Sequence, residues 1–137
     1  MKNLLLCAGL LCLAAPLCAQ SAAAPGGVTC SLPSHPKTDA DKAFAAEHFA
    51  EAEALYTTQL SASPSEAAWI GLVHSQIEQD KVMDALANAR RATAALPKSA
   101  AMLALTGDAE LRAAHIDEAN AAYAQARTMD PCLAAAH

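Results

Sequence analysis

Three segments of this chain align with one another without gaps, and this internal repeat limits the fold more than any other feature. The segments begin at Glu47, Asp80 and Ala114, carry Ala at 52, 85 and 119, and close on Pro64, Pro97 and Pro131, so the steps are 33 and 34 residues. A period of that length means that each unit is one supersecondary element, able to bury its apolar face only against its neighbours. The 137 residues include 37 Ala and 17 Leu but only 5 aromatic residues. Ala is the strongest helix former, and β-branched residues are too few for a β-sandwich, so the class is all-α.

Local signals place the helices. Ser63-Pro64-Ser65-Glu66 reads as a capping box with Pro64 at the first helical position, and Ser99 can cap a helix from Ala100 to about Ala113. Trp69, Leu72, Val73, Gln76 and Ile77 recur at spacings of three and four, giving one buried stripe. Ala52, Ala85 and Ala119 are expected where paired helices cross most closely, because a methyl group lets two backbones approach. Tyr56 and Tyr123 fill the space one turn later.

These residues carry a resemblance to the tetratricopeptide repeat family, whose pattern is W-x2-L-G-x2-Y, then A-x3-F, then P. Trp69, Leu72, Ala85, Ala92 and Pro97 stand at the matching places of one unit, and Leu103, Gly107, Ala119, Tyr123, Ala126 and Pro131 at those of the next. The first unit keeps Phe49, Ala52, Tyr56 and Pro64, with Pro36 and Asp39 where large apolar residues are expected. The resemblance implies a right-handed α-solenoid with a degenerate first repeat over residues 38–64, repeats over 65–98 and 99–131, and residues 132–137 opening a fourth repeat or capping helix. A solenoid ends on a polar cap. None follows Pro131, so either the chain is the first part of a longer protein or another molecule covers the third repeat.

Residues 1–19 are laid out as a secretory signal: Lys2, an apolar run over residues 4–13, then Ala14, Ala15, Pro16, Leu17 and Cys18 before a cut after Ala19, with Ala23 or Ala24 as alternatives. The apolar stretch from Leu4 to Ala19, 16 residues, is shorter than the roughly 20 residues of a membrane-spanning helix, and Leu precedes each of Cys7, Cys12 and Cys18, which disfavours a lipid anchor. Residues 20–37, with Pro25, Pro33, Pro36, Gly26 and Gly27, read as a flexible leader. The implied location is periplasmic or secreted. Two cysteines then remain, Cys30 and Cys132, and in an elongated stack they are expected to lie too far apart to bridge.

The formal charge of −5 becomes −6 without the signal, and acidic balance without basic clusters excludes a nucleic-acid footprint. No phosphate loop, hydrolase triad order or C-x-x-C pair occurs. His74 and Glu78 lie four apart on one helix face, but two ligands do not make a metal site. His48 and His115 share the turn between paired helices and are expected to be solvated. Asp108 and Glu110, like Glu51 and Glu53, are two apart and do not face each other on a helix. No enzyme and no cofactor is therefore expected.

By the resemblance, the first helix of each repeat lines a concave groove that binds an extended peptide or a partner helix. The matching positions are Asp41, Phe44, Ala45, Ile70, His74, Ile77, Glu78, Ala104, Asp108, Leu111 and Arg112. The Lys, Asn and Arg cluster with which the family grips a terminal carboxylate is missing, since Asp41, His74 and Asp108 stand where Asn is expected. A mixed apolar and acidic lining favours a protein or peptide partner with apolar anchors and basic flanks. The second reading is an accessory N-terminal region of a larger extracytoplasmic enzyme, of which one resembling an aspartic protease is an example.

Overall fold

The structure is a computed structural model that describes residues 37–135. The expected signal sequence and all but the last residue of the leader lie outside the described residues. Within them, six α-helices follow one another: α1 Asp39–Ala45, α2 Phe49–Ala62, α3 Glu66–Glu78, α4 Val82–Ala95, α5 Ala100–Arg112 and α6 Ile116–Met129, before a short 3-10 helix, Pro131–Ala135. No strand occurs among the described residues. Each helix packs on the next, and α3 also packs on α1 and α5, so the odd-numbered helices share a face.

Where each helix begins and ends follows from a few side chains. Thr38 caps α1: its hydroxyl accepts from the Asp41 backbone N–H at 3.2 Å, while Asp41 accepts from the Thr38 N–H at 2.7 Å, a reciprocal box that satisfies two otherwise orphaned donors. Ser99 caps α5 as expected, accepting from the Met102 N–H at 3.2 Å. The cap of α3 differs from expectation. It is Ser65, which accepts from the Ala68 N–H at 3.2 Å, whereas Ser63 closes α2 through its N–H to the Gln59 carbonyl at 2.7 Å. Ser63 precedes a proline and is extended (φ −154°, ψ 97°), because a residue before Pro is pushed out of the helical region.

Turns inside each pair of helices use one solution three times. Glu47, Asp80 and Ala114 all adopt the left-handed conformation, with φ of 61°, 59° and 62°. The next N–H reaches back to the helix, from His48 to the Ala43 carbonyl, Lys81 to Gln76 and His115 to Glu110, each at 2.9 Å. This is the Schellman closure, which usually places Gly at the left-handed residue. Here it is built with Glu, Asp and Ala.

The interior is made of methyl groups. Ala52, Ala85 and Ala119 are at most 1% exposed, and the largest fully buried side chains are Met102, Leu105, Val73 and Ser75. At one pair of aligned positions bulk is exchanged between helices: Ala40 with Tyr56, Val73 with Ala89, Gly107 with Tyr123. A large ring accompanies a residue with little or no side chain, and Val accompanies Ala.

Candidate functional site on the face of α1, α3 and α5

Asp41, His74 and Asp108 are aligned residues on the three odd-numbered helices. Tyr56 Oη donates to Asp41 Oδ1 at 2.7 Å and Tyr123 Oη donates to Asp108 Oδ1 at 2.7 Å. Burial, then the neighbouring carboxylate, pushes both phenol pKa values well above the usual tyrosine range, so both hydroxyls stay protonated donors. The middle unit has Ala89 in place of the tyrosine, and His74 turns instead to Asp108 of the following unit, with Nε2 to Oδ2 at 3.4 Å. The aspartates are thus held by the fold, and their orientation is set by the tyrosines.

Helical spacing then brings the rest together. Phe44, Ile70 and His74, with Asp41 and Tyr56, line a cavity of about 520 Å³. Ile77, Glu78, Leu111 and Arg112, with His74 and Asp108, line a second of about 480 Å³. Ala104, Asp108 and Leu111 line a third of about 450 Å³, with Tyr123, Ala126 and Arg127. All ten of these expected positions (Asp41, Phe44, Ile70, His74, Ile77, Glu78, Ala104, Asp108, Leu111, Arg112) fall on one of the three. Adjacent cavities have common walls: His74 between the first and second, Asp108 and Leu111 between the second and third. Ala45, the remaining expected position, is exposed and borders none of these three.

The lining is apolar at Phe44, Ile70, Ile77 and Leu111, with Asp41, Glu66, Glu78 and Asp108 as carboxylates and Arg112 and Arg127 as the guanidinium groups. Arg112 lies 3.4 Å from Asp80, both side chains at least half exposed, a contact worth little in water. Leu133 was not expected in this site. It borders both the first and the third cavity, and its only sequence signal is an apolar residue after Pro131.

Other charged groups serve the packing. Glu110 is 4% exposed and accepts from Arg90 Nη2 at 2.8 Å, while His115 Nδ1 lies 2.8 Å from its other oxygen. His115 is exposed, as expected, and the Schellman turn also brings its ring within hydrogen-bond distance of Glu110 on α5. Burial raises the Glu110 pKa, but the hydrogen bonds and charges of Arg90 and His115 outweigh it and leave the carboxyl below its usual range. Glu53 behaves alike: burial is outweighed by Lys81 at 2.7 Å, Gln76 at 3.0 Å and Gln79 at 2.8 Å. Away from the shared face, Trp69 and Arg91 border a separate cavity of about 360 Å³ with the Arg91 guanidinium 5.8 Å from the ring centroid.

Cys132 is disulfide-bonded and so is not a free thiol. Its partner lies outside the described residues, as does Cys30, the cysteine expected to lie too far from it to bridge. Among the described residues no group of three or more His, Cys, Asp or Glu could hold a metal ion, and no helix is long and apolar enough to cross a membrane. No known family model matches the chain, and no curated protein matches it.

Proposed function

We propose that the chain is a protein-interaction module of the tetratricopeptide type, three helical hairpins in a right-handed solenoid, which holds a peptide or partner helix on the concave face formed by α1, α3 and α5. The observation that carries this reading is the continuity of the lining: ten residues picked by repeat position border three cavities that share walls. Half-exposed Leu111 and the partly buried Phe44, Ile70 and Ile77 offer places for apolar anchors. Four carboxylates against two guanidinium groups favour basic residues flanking those anchors. The groove acts by binding, with no catalytic step and no cofactor, and nucleic acid is disfavoured by the overall charge of −5. The N-terminal signal pattern assigns the module to the periplasm or the exterior.

Selection from a random peptide display library tests this. Wild-type protein is expected to enrich peptides with two or more large apolar residues flanked by Lys or Arg, and the Ile77→Glu, Leu111→Glu double variant is expected to lose them. Enrichment of acidic peptides, or the same peptides on both proteins, overturns the proposal.

A further inference from the structure

A second face of α3 carries a cavity that the groove does not use. Trp69, Leu72 and Gln76 stand three and four residues apart on α3 and, with residues of α2 and α4, border the cavity of about 360 Å³. Ile70, His74 and Ile77 of the same helix face the groove instead. Leu60, Leu72 and the Trp69 ring make part of the wall apolar. The polar side chains beside them are joined in a chain: Lys81 Nζ donates to Glu53 Oε2 at 2.7 Å, Gln76 Nε2 to Glu53 Oε1 at 3.0 Å, Asn88 Nδ2 to Gln76 Oε1 at 3.0 Å and Arg91 Nη1 to Asn88 Oδ1 at 3.1 Å. Gln76 is 4% exposed, so the chain is fixed at a buried residue. At its other end it holds the Arg91 guanidinium, which also lies 5.8 Å from the Trp69 ring centroid.

What this wall lacks is acceptors. Trp69 is 8% exposed, and its Nε1 is buried with no hydrogen-bond partner, although buried donors nearly always have one. Arg91 is the only charged residue among the described ones that border the cavity. Unlike Arg90 and Arg112, which lie against Glu110 and Asp80, it pairs with no carboxylate among the described residues, and most of its five N–H groups are left to a ligand. The rim hydroxyls of Thr57 and Ser61 already donate to the Glu53 and Thr57 carbonyls. We propose that this cavity is a binding site separate from the groove, one that takes a small carboxylate on an apolar body, with Arg91 pairing with the carboxylate and Leu60, Leu72 and Trp69 receiving the body. A carboxylate is acceptor-only and meets the planar guanidinium in two parallel N–H···O bonds. Stacking on Trp69 and the bond to Asn88 fix the guanidinium before the ligand arrives. A volume of about 360 Å³ lies at the lower end of the roughly 300 to 1,000 Å³ of small-ligand pockets, so the carboxylate belongs to a free acid or to the C-terminus of a peptide ending in an apolar residue.

Trp69 is the only tryptophan of the chain, so the full chain, isotope-labelled, shows one indole N–H cross-peak by nuclear magnetic resonance, and the shift of that peak on titration reads this cavity. Hexanoate is expected to move the peak saturably, with the same Kd in wild type and in the Ile77→Glu, Leu111→Glu groove variant. Hexanamide, which has the same body without the charge, is expected to bind wild type at least about tenfold more weakly, as is hexanoate to Arg91→Gln. N-acetylglycyl-leucine separates the two sources: tighter binding than hexanoate names a peptide C-terminus, and equal or weaker binding a free acid. An unmoved peak with hexanoate, equal affinity for hexanoate and hexanamide, or an unchanged Kd in Arg91→Gln overturns the proposal. So does loss of hexanoate binding in a folded groove variant. The hexanamide comparison is made on wild type and stands whatever Arg91→Gln does to the fold. A saturable hexanoate shift without any selected peptide keeps this site and removes the groove function; selected peptides with an unmoved peak give the reverse.

Discussion

Gly71→Ala should destabilise this protein, although Gly to Ala in a helix ordinarily stabilises it by about 1 kcal/mol. Gly71 lies inside α3, and a Cβ placed on it meets Cζ, Cε1 and Cε2 of Tyr56, well inside van der Waals contact. The ring cannot step aside cheaply. It is 4% exposed and tied through its hydroxyl to Asp41 at 2.7 Å. Overpacking of this kind costs about 1 to 3 kcal/mol, and displacing the ring forfeits a hydrogen bond to a charged group worth about 1.5 to 3 kcal/mol. After the helix gain is subtracted, a net loss of about 1.5 to 5 kcal/mol remains, or roughly 6 to 40 °C in Tm for a domain of this size. Thermal unfolding followed by circular dichroism measures it, and a double-mutant cycle with Tyr56→Leu should return most of the loss. A Gly71→Ala protein as stable as wild type, or more so, would refute the packing of Tyr56 against α3.

Ala85 is fully buried, so Ala85→Leu is expected to cost about 1 to 3 kcal/mol by overpacking, read as a lower urea midpoint. Glu110 has its pKa lowered by the fold, so its contribution to stability is complete above the unfolded carboxyl pKa and is lost as pH falls through the lower folded value. Wild type should therefore lose stability below about pH 4.5, while Glu110→Gln should be weaker at pH 7 by about 1 to 3 kcal/mol and fall less steeply in acid. Ala114 has φ 62°, a conformation that costs Ala about 1 to 2 kcal/mol and Gly much less, so Ala114→Gly is expected to raise stability by about 0.5 to 1 kcal/mol. A lower denaturation midpoint for that variant would count against the turn geometry.

Much of the helical layout is legible in the sequence because it depends on local chemistry. The prolines at 64, 97 and 131 end even-numbered helices, Ser99 caps α5, and Ala52, Ala85 and Ala119 are the buried methyls expected at close crossings. Less local features were missed. The choice of Ser65 over Ser63 depends on how Pro64 holds Ser63 extended before α3, whereas the capping-box spacing points to Ser63, which has Glu66 three residues on. The left-handed turn residues carry no glycine to mark them, and Glu110 looks like any surface glutamate until the turn returns His115 to it. Site positions on α1, α3 and α5 follow from the repeat because helical spacing fixes which side chains share a face. Leu133 does not, because its place depends on how the chain folds back after α6, which a period of 33 to 34 residues does not encode.

Binding on the face of α1, α3 and α5 is the central claim, and the most direct measurement is the affinity of one selected peptide for three proteins by fluorescence anisotropy. Against wild type, Ile77→Glu with Leu111→Glu is expected to raise Kd at least about tenfold, an effect of about 1.4 kcal/mol or more. Met83→Glu, a change at a residue 72% exposed on α4, is expected to leave Kd unchanged. Equal affinities for all three proteins, or a loss confined to Met83→Glu, would contradict the claim.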